Sequence, residues 1–487
     1  MKLPAWLRPA PDGRPVHPWW WVLAGLLAVL VLVGAQFADA PGFLERGDSW
    51  WRPLVSLPAL SVLVLAWWQL GPRFTRPLVA AAVWSAPMMF ALPMYSRDAY
   101  AYAAQGWMVA RGLDPYTTPL GEAGLPGLLV GVHWHKTTAV YPALSLELFG
   151  LIARLTGSDP YWTTVALRVP NVVALLGLAW VVRRLARRFG INEGLALWAG
   201  VLNPIMLLQW IGGVHNDALM VTLAVAAVLA VTDRGWRGWR GLLVAGVLLG
   251  LAMGVKQSAA VYGLGVVAVG WATRFPDGLG WPAREAPGAE PSPTAGWWRL
   301  AVVAAVPGAV TVAVFALVSL RFGFGWGNPT AGNPIGAMSN APLSWLAEAL
   351  RYPLPDDVVN PAITTVSTVL LLVAFVALWA KLGPRGDDPR RPWAFMLAVL
   401  AAFCVLGPAL QPWYLTMLLP LYVFWLAGPR WDRAWLVVVV GFTLLPSLQT
   451  MLAPLIAMPM LAVPLWWLWS EMSRRGVSPL PPRSSLR

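Results

Sequence analysis

Long apolar stretches recur along the chain with short polar turns between them, a pattern that predicts membrane-crossing helices. A spanning helix needs about 17–25 mostly apolar residues. Runs of this kind occupy 19–36, 54–71, 77–94, 165–183, 194–211, 215–232, 241–255, 257–273, 299–320, 362–380, 394–409, 413–428, 434–449 and 452–470. The runs 241–255 and 257–273 are short and closely joined, which fits a pair of partial spans. The alternating pattern of a membrane barrel is absent, as is any fixed-period repeat. The expected fold is therefore an all-α polytopic bundle of about 13–14 transmembrane helices.

Composition strengthens this reading. Of 487 residues, 58% are hydrophobic and only 12% charged, where a soluble domain carries roughly 25% charge. The 32 tryptophans suit the membrane–water interface. Cys404 stands alone in an apolar run and offers neither a disulfide nor a metal knuckle. The net charge of +13 would fit nucleic acid only if its basic residues were clustered, and they lie in short turns. They are better read as an orientation signal, with no nucleic-acid partner expected. Near the start, Ala38-Asp39-Ala40 resembles a signal-peptidase site. Pro41 follows at once and disfavours cleavage, so a retained first helix is expected.

Lys and Arg placement orients the spans. With both termini in the cytoplasm, the inner segments are 1–18, 71–76, 183–193, 233–240, 274–299, 381–393, 429–433 and the tail from 471 to 487. Together they hold 25 of the 35 basic residues. The run from Leu144 to Leu155 is short and carries Glu147 and Arg154, so it is expected as an outer-face half-helix. The transmembrane domain thus covers 19–470. Its first long outer loop is 95–165 and its second is 321–361, rich in Gly, Pro and Asn. The stretch 274–299 reads as a Pro-rich cytoplasmic linker.

Ionisable residues at membrane depth are costly and usually functional. In Tyr95-Ser96-Arg97-Asp98-Ala99-Tyr100-Ala101-Tyr102, helical spacing puts Asp98 and Tyr102 on one face. A carboxylate rimmed by tyrosines suits accepting a proton from a sugar hydroxyl; a solvated flank is the alternative. His133-Trp134-His135-Lys136 has no Cys or HxxxH partner for a metal. Lys136 would instead meet a lipid phosphate, or the segment is an ordinary interfacial loop. Gly212-Gly213-Val214-His215-Asn216-Asp217 opens a span. Its free N–H groups suit anions, although Asp217 opposes this, and Asn216 and Asp217 also make a good helix cap. Lys256 sits between two short spans and should snorkel, pair or bind an anion. Arg168 belongs to the same class. Gln411-Pro412-Trp413-Tyr414 fits either aromatic anchoring or sugar stacking.

At these residues the chain resembles a known family. Asp98 in "YSRDAYAYAAQG", "YPAL" at 141–144, "LNPIMLLQWIGGVHNDALM" at 202–220, "GLAMGVKQSAA" at 250–260 and "QPWYL" at 411–415 occur in the expected order. Together they resemble the actinobacterial polyprenol-phosphate-mannose-dependent α-1,6-mannosyltransferases, which are GT-C-type membrane glycosyltransferases. The similarity runs from about residue 19 to 470. The resemblance implies a polyprenyl-phosphate-mannose donor, an α-1,6-mannan or lipomannan-type glycolipid acceptor and a site at the outer face of the plasma membrane. The family's first-loop acidic residue maps onto Asp98, the implied base of a single inverting displacement. A departing phosphate needs positive charge rather than a second carboxylic acid. Lys256, Lys136, His215 and Arg168 are the candidates to meet it. Tyr100, Tyr102, His135, Asn216, Asp217, Gln411, Trp413 and Tyr414 are candidate substrate contacts. No metal or other cofactor is expected. A transporter is the main rival, but it would show duplicated halves and broken helices at midplane.

Overall fold

A computed structural model describes residues 18–38, 51–232, 239–274, 293–325, 339–383, 388, 390–426 and 428–476. Segment 1–17, residues 39–40 of the cleavage-like site, 275–292 of the linker, 326–338 of the second loop and 477–487 of the tail lie outside the described residues. Every regular element described is helical. That outcome follows from composition, because an apolar segment in lipid must satisfy its own backbone and the helix does so locally.

Among the described residues twenty α-helices follow in order. The first three are α1 (Pro18–Ala38), α2 (Trp51–Leu70) and α3 (Pro77–Met88). The segment expected as the first outer loop then folds into α4 (Asp98–Ala110), α5 (Gly124–Leu129), α6 (Ala143–Leu155) and α7 (Pro160–Ala166). Next come α8 (Arg168–Phe189), α9 (Glu193–Gly200), α10 (Pro204–Leu207), α11 (Asp217–Thr232), α12 (Trp239–Val255) and α13 (Ala260–Arg274). The remainder is α14 (Pro293–Val318), α15 (Pro342–Leu350), α16 (Asp356–Leu382), α17 (Arg391–Leu406), α18 (Tyr422–Trp425), α19 (Pro429–Leu448) and α20 (Pro454–Arg474).

Among the described residues seven helical stretches are long and apolar enough to cross a membrane: α1, α2, joined α7–α8, the 300–318 part of α14, α16, α19 and α20. An eighth arises if α9 and the segment Pro204–Gly212, which meet at a 51° bend, form one broken span. The protein is thus an all-α polytopic membrane protein, and fewer of its helices reach full spanning length than the apolar runs suggested. Helices α3, α11, α12 and α17 are apolar but shorter.

The run 413–428 departs most from expectation. Instead of a continuous helix it forms 3-10 turns at Pro412–Met417 and Leu419–Leu421, followed by the four-residue α18. Pro420, in the middle of the run, cannot donate an N–H and would clash with the carbonyl four residues back in a continuous α-helix. The half-helix expected at 144–155 is present as α6, and α16 begins at Asp356, earlier than its apolar run.

Close approach between helices depends on small residues. On α12, Gly246, Gly250 and Gly254 form a stripe, and a Cβ at any of them would lie within 3.0 Å of α14 atoms. Helices α4 and α6 meet through Gly106 and Gly150 in the same way, with Gly106 pressed on the Phe149 carbonyl. At the core, the Trp67 and Trp198 rings stack with centroids 4.4 Å apart and planes 5° apart. Each indole N–H donates to the other residue's carbonyl, at 2.9 and 2.8 Å. Trp67→Ala should therefore remove about 3–5 kcal/mol of stability. The check is a markedly lower unfolding temperature in detergent than for the parent protein.

Candidate functional site

Asp98 opens α4, and its backbone N–H donates to Ser96 Oγ at 3.1 Å. Three residues earlier Tyr95 takes a left-handed φ of 61°, a strained turn that redirects the chain into the helix. The Asp98 side chain is 15% exposed and its Oδ2 lies 3.7 Å from His215 Nδ1. Burial, opposed chiefly by the nearby Lys256 charge, raises its carboxyl to about 6. One turn along, Tyr102 shares this face, as the spacing predicted. Its hydroxyl lies 3.3 Å from the Tyr141 hydroxyl and donates to Asn216 Oδ1 at 3.5 Å.

His215 and its neighbours reach the site through an irregular connection. A π-turn at Leu208–Gly212 precedes them, and Val214 adopts φ 63°. A β-branched residue in the left-handed region is strained, and strain of this kind collects at functional sites. The connection is pinned from two sides: Met94 N–H donates to the Gly212 carbonyl at 3.0 Å, and Asn171 Nδ2 donates to the carbonyls of Trp210 and His215 at 2.8 and 3.2 Å. Asn216 Nδ2 donates to Ser145 Oγ at 3.2 Å, and that hydroxyl donates to the Val255 carbonyl at 2.8 Å. A polar relay thus ties α4, α6 and the start of α11 to the end of α12.

Lys256 occupies the joint between α12 and a 3-10 turn at Gln257–Ala259. Its Nζ donates to Asp217 Oδ2 at 2.8 Å and sits 4.9 Å from the centroid of the Tyr414 ring. Asp217 is fully buried at the first position of α11, and its Oδ1 has no hydrogen-bond partner among the described residues. Trp413 stacks on the His215 ring at 3.8 Å and 19°. Asp98, Tyr102, His215, Asn216, Asp217, Lys256, Trp413 and Tyr414 therefore converge, although the sequence presents them as four separate groups.

The other candidates have different surroundings. Arg168 is fully buried, and its guanidinium donates to four backbone carbonyls, those of Thr164, Ile211, Ala91 and Gly212. It braces the connection that carries His215. Tyr100 packs with Leu120, Ala123 and Leu129. His135 Nε2 lies 3.0 Å from the Val130 carbonyl, and Lys136 is exposed. The His133 side chain lies outside the described residues. Gln411 enters the 3-10 turn, its carbonyl accepting from Tyr414 N–H at 3.0 Å. Among the described residues no three His, Cys, Asp or Glu side chains gather to hold a metal. Three contributors had no assigned role in the sequence reading: Ser145, Asn171 and Tyr141. The first two are uncharged polar residues inside apolar runs, each within three positions of a charged one, which was the available signal.

Comparison with known proteins gives a consistent result. Residues 22–273 match the family model described as "Alpha-(1->6)-mannopyranosyltransferase, N-terminal domain". The chain is 30% identical over 394 residues to alpha-(1->6)-mannopyranosyltransferase A of Corynebacterium glutamicum, covering 74% of this chain and 76% of that protein. It is 30% identical over 382 residues to the protein of the same name from Mycobacterium tuberculosis, covering 73% and 67%. Alpha-(1->6)-mannopyranosyltransferase B of C. glutamicum is 28% identical over 276 residues, covering 50% and 46%. No solved structure matches.

Truncating one partner of a buried ion pair strands the other charge, which typically costs about 3–5 kcal/mol. Lys256→Met should accordingly destabilise the protein by that order. The double variant Lys256→Met/Asp217→Leu should recover most of the loss. Thermal unfolding of both variants in one detergent checks the pairing.

Proposed function

The chain belongs to the α-(1→6)-mannopyranosyltransferase family and is a glycosyltransferase, and from that premise we propose that it transfers mannose from polyprenyl-phosphate-mannose to an α-1,6-mannan glycolipid at the outer face of the plasma membrane. The observation that carries the reading is the placement of Asp98. Its carboxylate is 15% exposed and the Lys256 ammonium 10%, whereas Asp217 and His215 behind them are closed off from solvent.

In this reading the acceptor hydroxyl approaches Asp98, which takes its proton as the oxygen attacks the anomeric carbon of the donor. The carbon–oxygen bond to phosphate breaks on the opposite face, so a β-linked donor yields an α-linked product. The phosphate leaves as an anion and requires no acid. Lys256 supplies positive charge where that anion develops, and a preformed cation in a water-poor site acts without reorganisation. Asp217 holds Lys256 in place and offsets the cost of burying it. Lys136, exposed on the segment that follows α5, is a second cation for the donor phosphate. Arg168, bound to carbonyls, serves the scaffold instead. Tyr414, half-buried beside Lys256, lines the approach of sugar or lipid, and the buried Tyr102 supports Asn216 beneath it. No divalent metal enters this scheme.

General bases contribute typically 10²–10⁴-fold. Asp98→Asn should lower mannosyl transfer by about that factor in membranes supplied with labelled polyprenyl-phosphate-mannose. Full retention of transfer would remove Asp98 from the role, and uptake of label without transfer would point to a transporter.

The base is active in its ionised form, and its carboxyl lies near 6 because burial opposes ionisation. The transfer rate should therefore be level above that pH and fall about tenfold per unit below it. A pH–rate profile with no acid limb in this region would contradict the assignment.

A further inference from the structure

The imidazole of His215 is held more firmly than a ligand-binding side chain needs to be. Trp413 covers one face at 3.8 Å. A Cβ at Gly213 would come within 2.8 Å of His215 Cδ2, so only glycine leaves the ring its place. The strained Val214 and the Asn171 bond to the His215 carbonyl fix the backbone. All this aims Nδ1 at Asp98 Oδ2 across 3.7 Å, just beyond hydrogen-bond length, a gap of the kind that closes when substrate binds.

Exposure separates the two side chains. Asp98 is 15% exposed and His215 is not exposed at all. Neither ring nitrogen has a hydrogen-bond partner among the described residues. The ring is therefore less accessible to a donor headgroup than the carboxylate is. We infer that His215 is the positioning residue of Asp98: its Nδ1–H donates to Oδ2 and turns Oδ1 toward the acceptor hydroxyl. This reassigns a residue first considered as a phosphate ligand, and it rests on the reading of Asp98 as the base.

The inference predicts a pH signature. A donor aimed at the carboxylate favours its ionised form. The other groups facing Asp98 are Lys256, which favours the anion, and Asp217, which opposes it, together with Ser96 on its own segment. Tyr102, on α4, and Tyr141 and Tyr414, on neighbouring segments, also face it. Removing the imidazole donor leaves these in place and makes the carboxylate harder to form.

The experiment compares His215→Phe, which keeps a ring against Trp413, with His215→Gln, which keeps an N–H donor, in the full-length protein. Each is first matched to the parent by detergent unfolding temperature. His215→Phe should lower kcat roughly tenfold or more, leave the donor KM within about twofold, and move the acid limb to higher pH. His215→Gln should recover part of kcat and return the limb toward the parent value. A folded His215→Phe with an unmoved acid limb and parental kcat overturns the inference. So does a rise in donor KM alone, the result expected of a phosphate ligand. If His215→Phe does not fold, the limb of His215→Gln decides by the same criterion: a parental or slightly raised limb with reduced kcat supports positioning, and raised KM alone overturns it. Retained transfer in Asp98→Asn would defeat the base assignment itself. Loss in Asp98→Asn with a parental His215→Phe would defeat only this inference.

Discussion

The ion pair between Lys256 and Asp217 is the constraint around which the site is arranged. Either charge alone would be expensive among apolar helices. Joined at 2.8 Å each offsets the cost of burying the other, and the Tyr414 ring gives the ammonium a second favourable neighbour. The pair can form only if the end of α12 meets the start of α11, so the charge requirement fixes helix packing. With that cation in place, a second carboxylate becomes tolerable nearby, and Asp98 occupies that position. The site holds two acids for one base, and burial of the excess negative charge raises the Asp98 carboxyl into a range useful for proton transfer.

Chemistry collects where helices stop. Asp98 and Asp217 each begin a helix, Lys256 occupies a break, His215 follows a π-turn and Trp413 lies in a 3-10 segment. Regular helix leaves side chains facing lipid or neighbours. Termini and breaks instead turn several backbone directions inward over a short length of chain. Gly246, Gly250 and Gly254 serve the same end, because they bring α12 close to α14 as it delivers Lys256.

Much of this was legible in the residues. Apolar run lengths gave the helices, and the spacing of Asp98 and Tyr102 gave their shared face. Lys256 stood out because a buried lysine needs a partner. That the partner is Asp217 was not visible, because Asp217 read equally well as a cap, and long-range pairing leaves no local trace. His215 was grouped with the phosphate candidates for the same reason: its proximity to Asp98 exists only after α4 and the connection before α11 pack together. The 413–428 run misled because average hydropathy takes little account of Pro420, which interrupts it, although α2, α14 and α20 run on through internal prolines. Arg168 was grouped with the phosphate candidates. Its four carbonyl partners, however, come from three parts of the chain that only the fold joins.

The reciprocal tryptophan pair has a consequence for biosynthesis. Trp67 and Trp198 are separated by 131 positions, and each indole N–H finds its acceptor only on the other's helix. While the ribosome is still delivering the intervening chain, α2 already lies in the bilayer with its indole N–H unsatisfied. Helix α9 supplies the missing acceptor on arrival and brings with it an indole in the same condition. The latch can therefore close only once the chain between the two helices has been inserted, and it rewards only the pairing of α2 with α9.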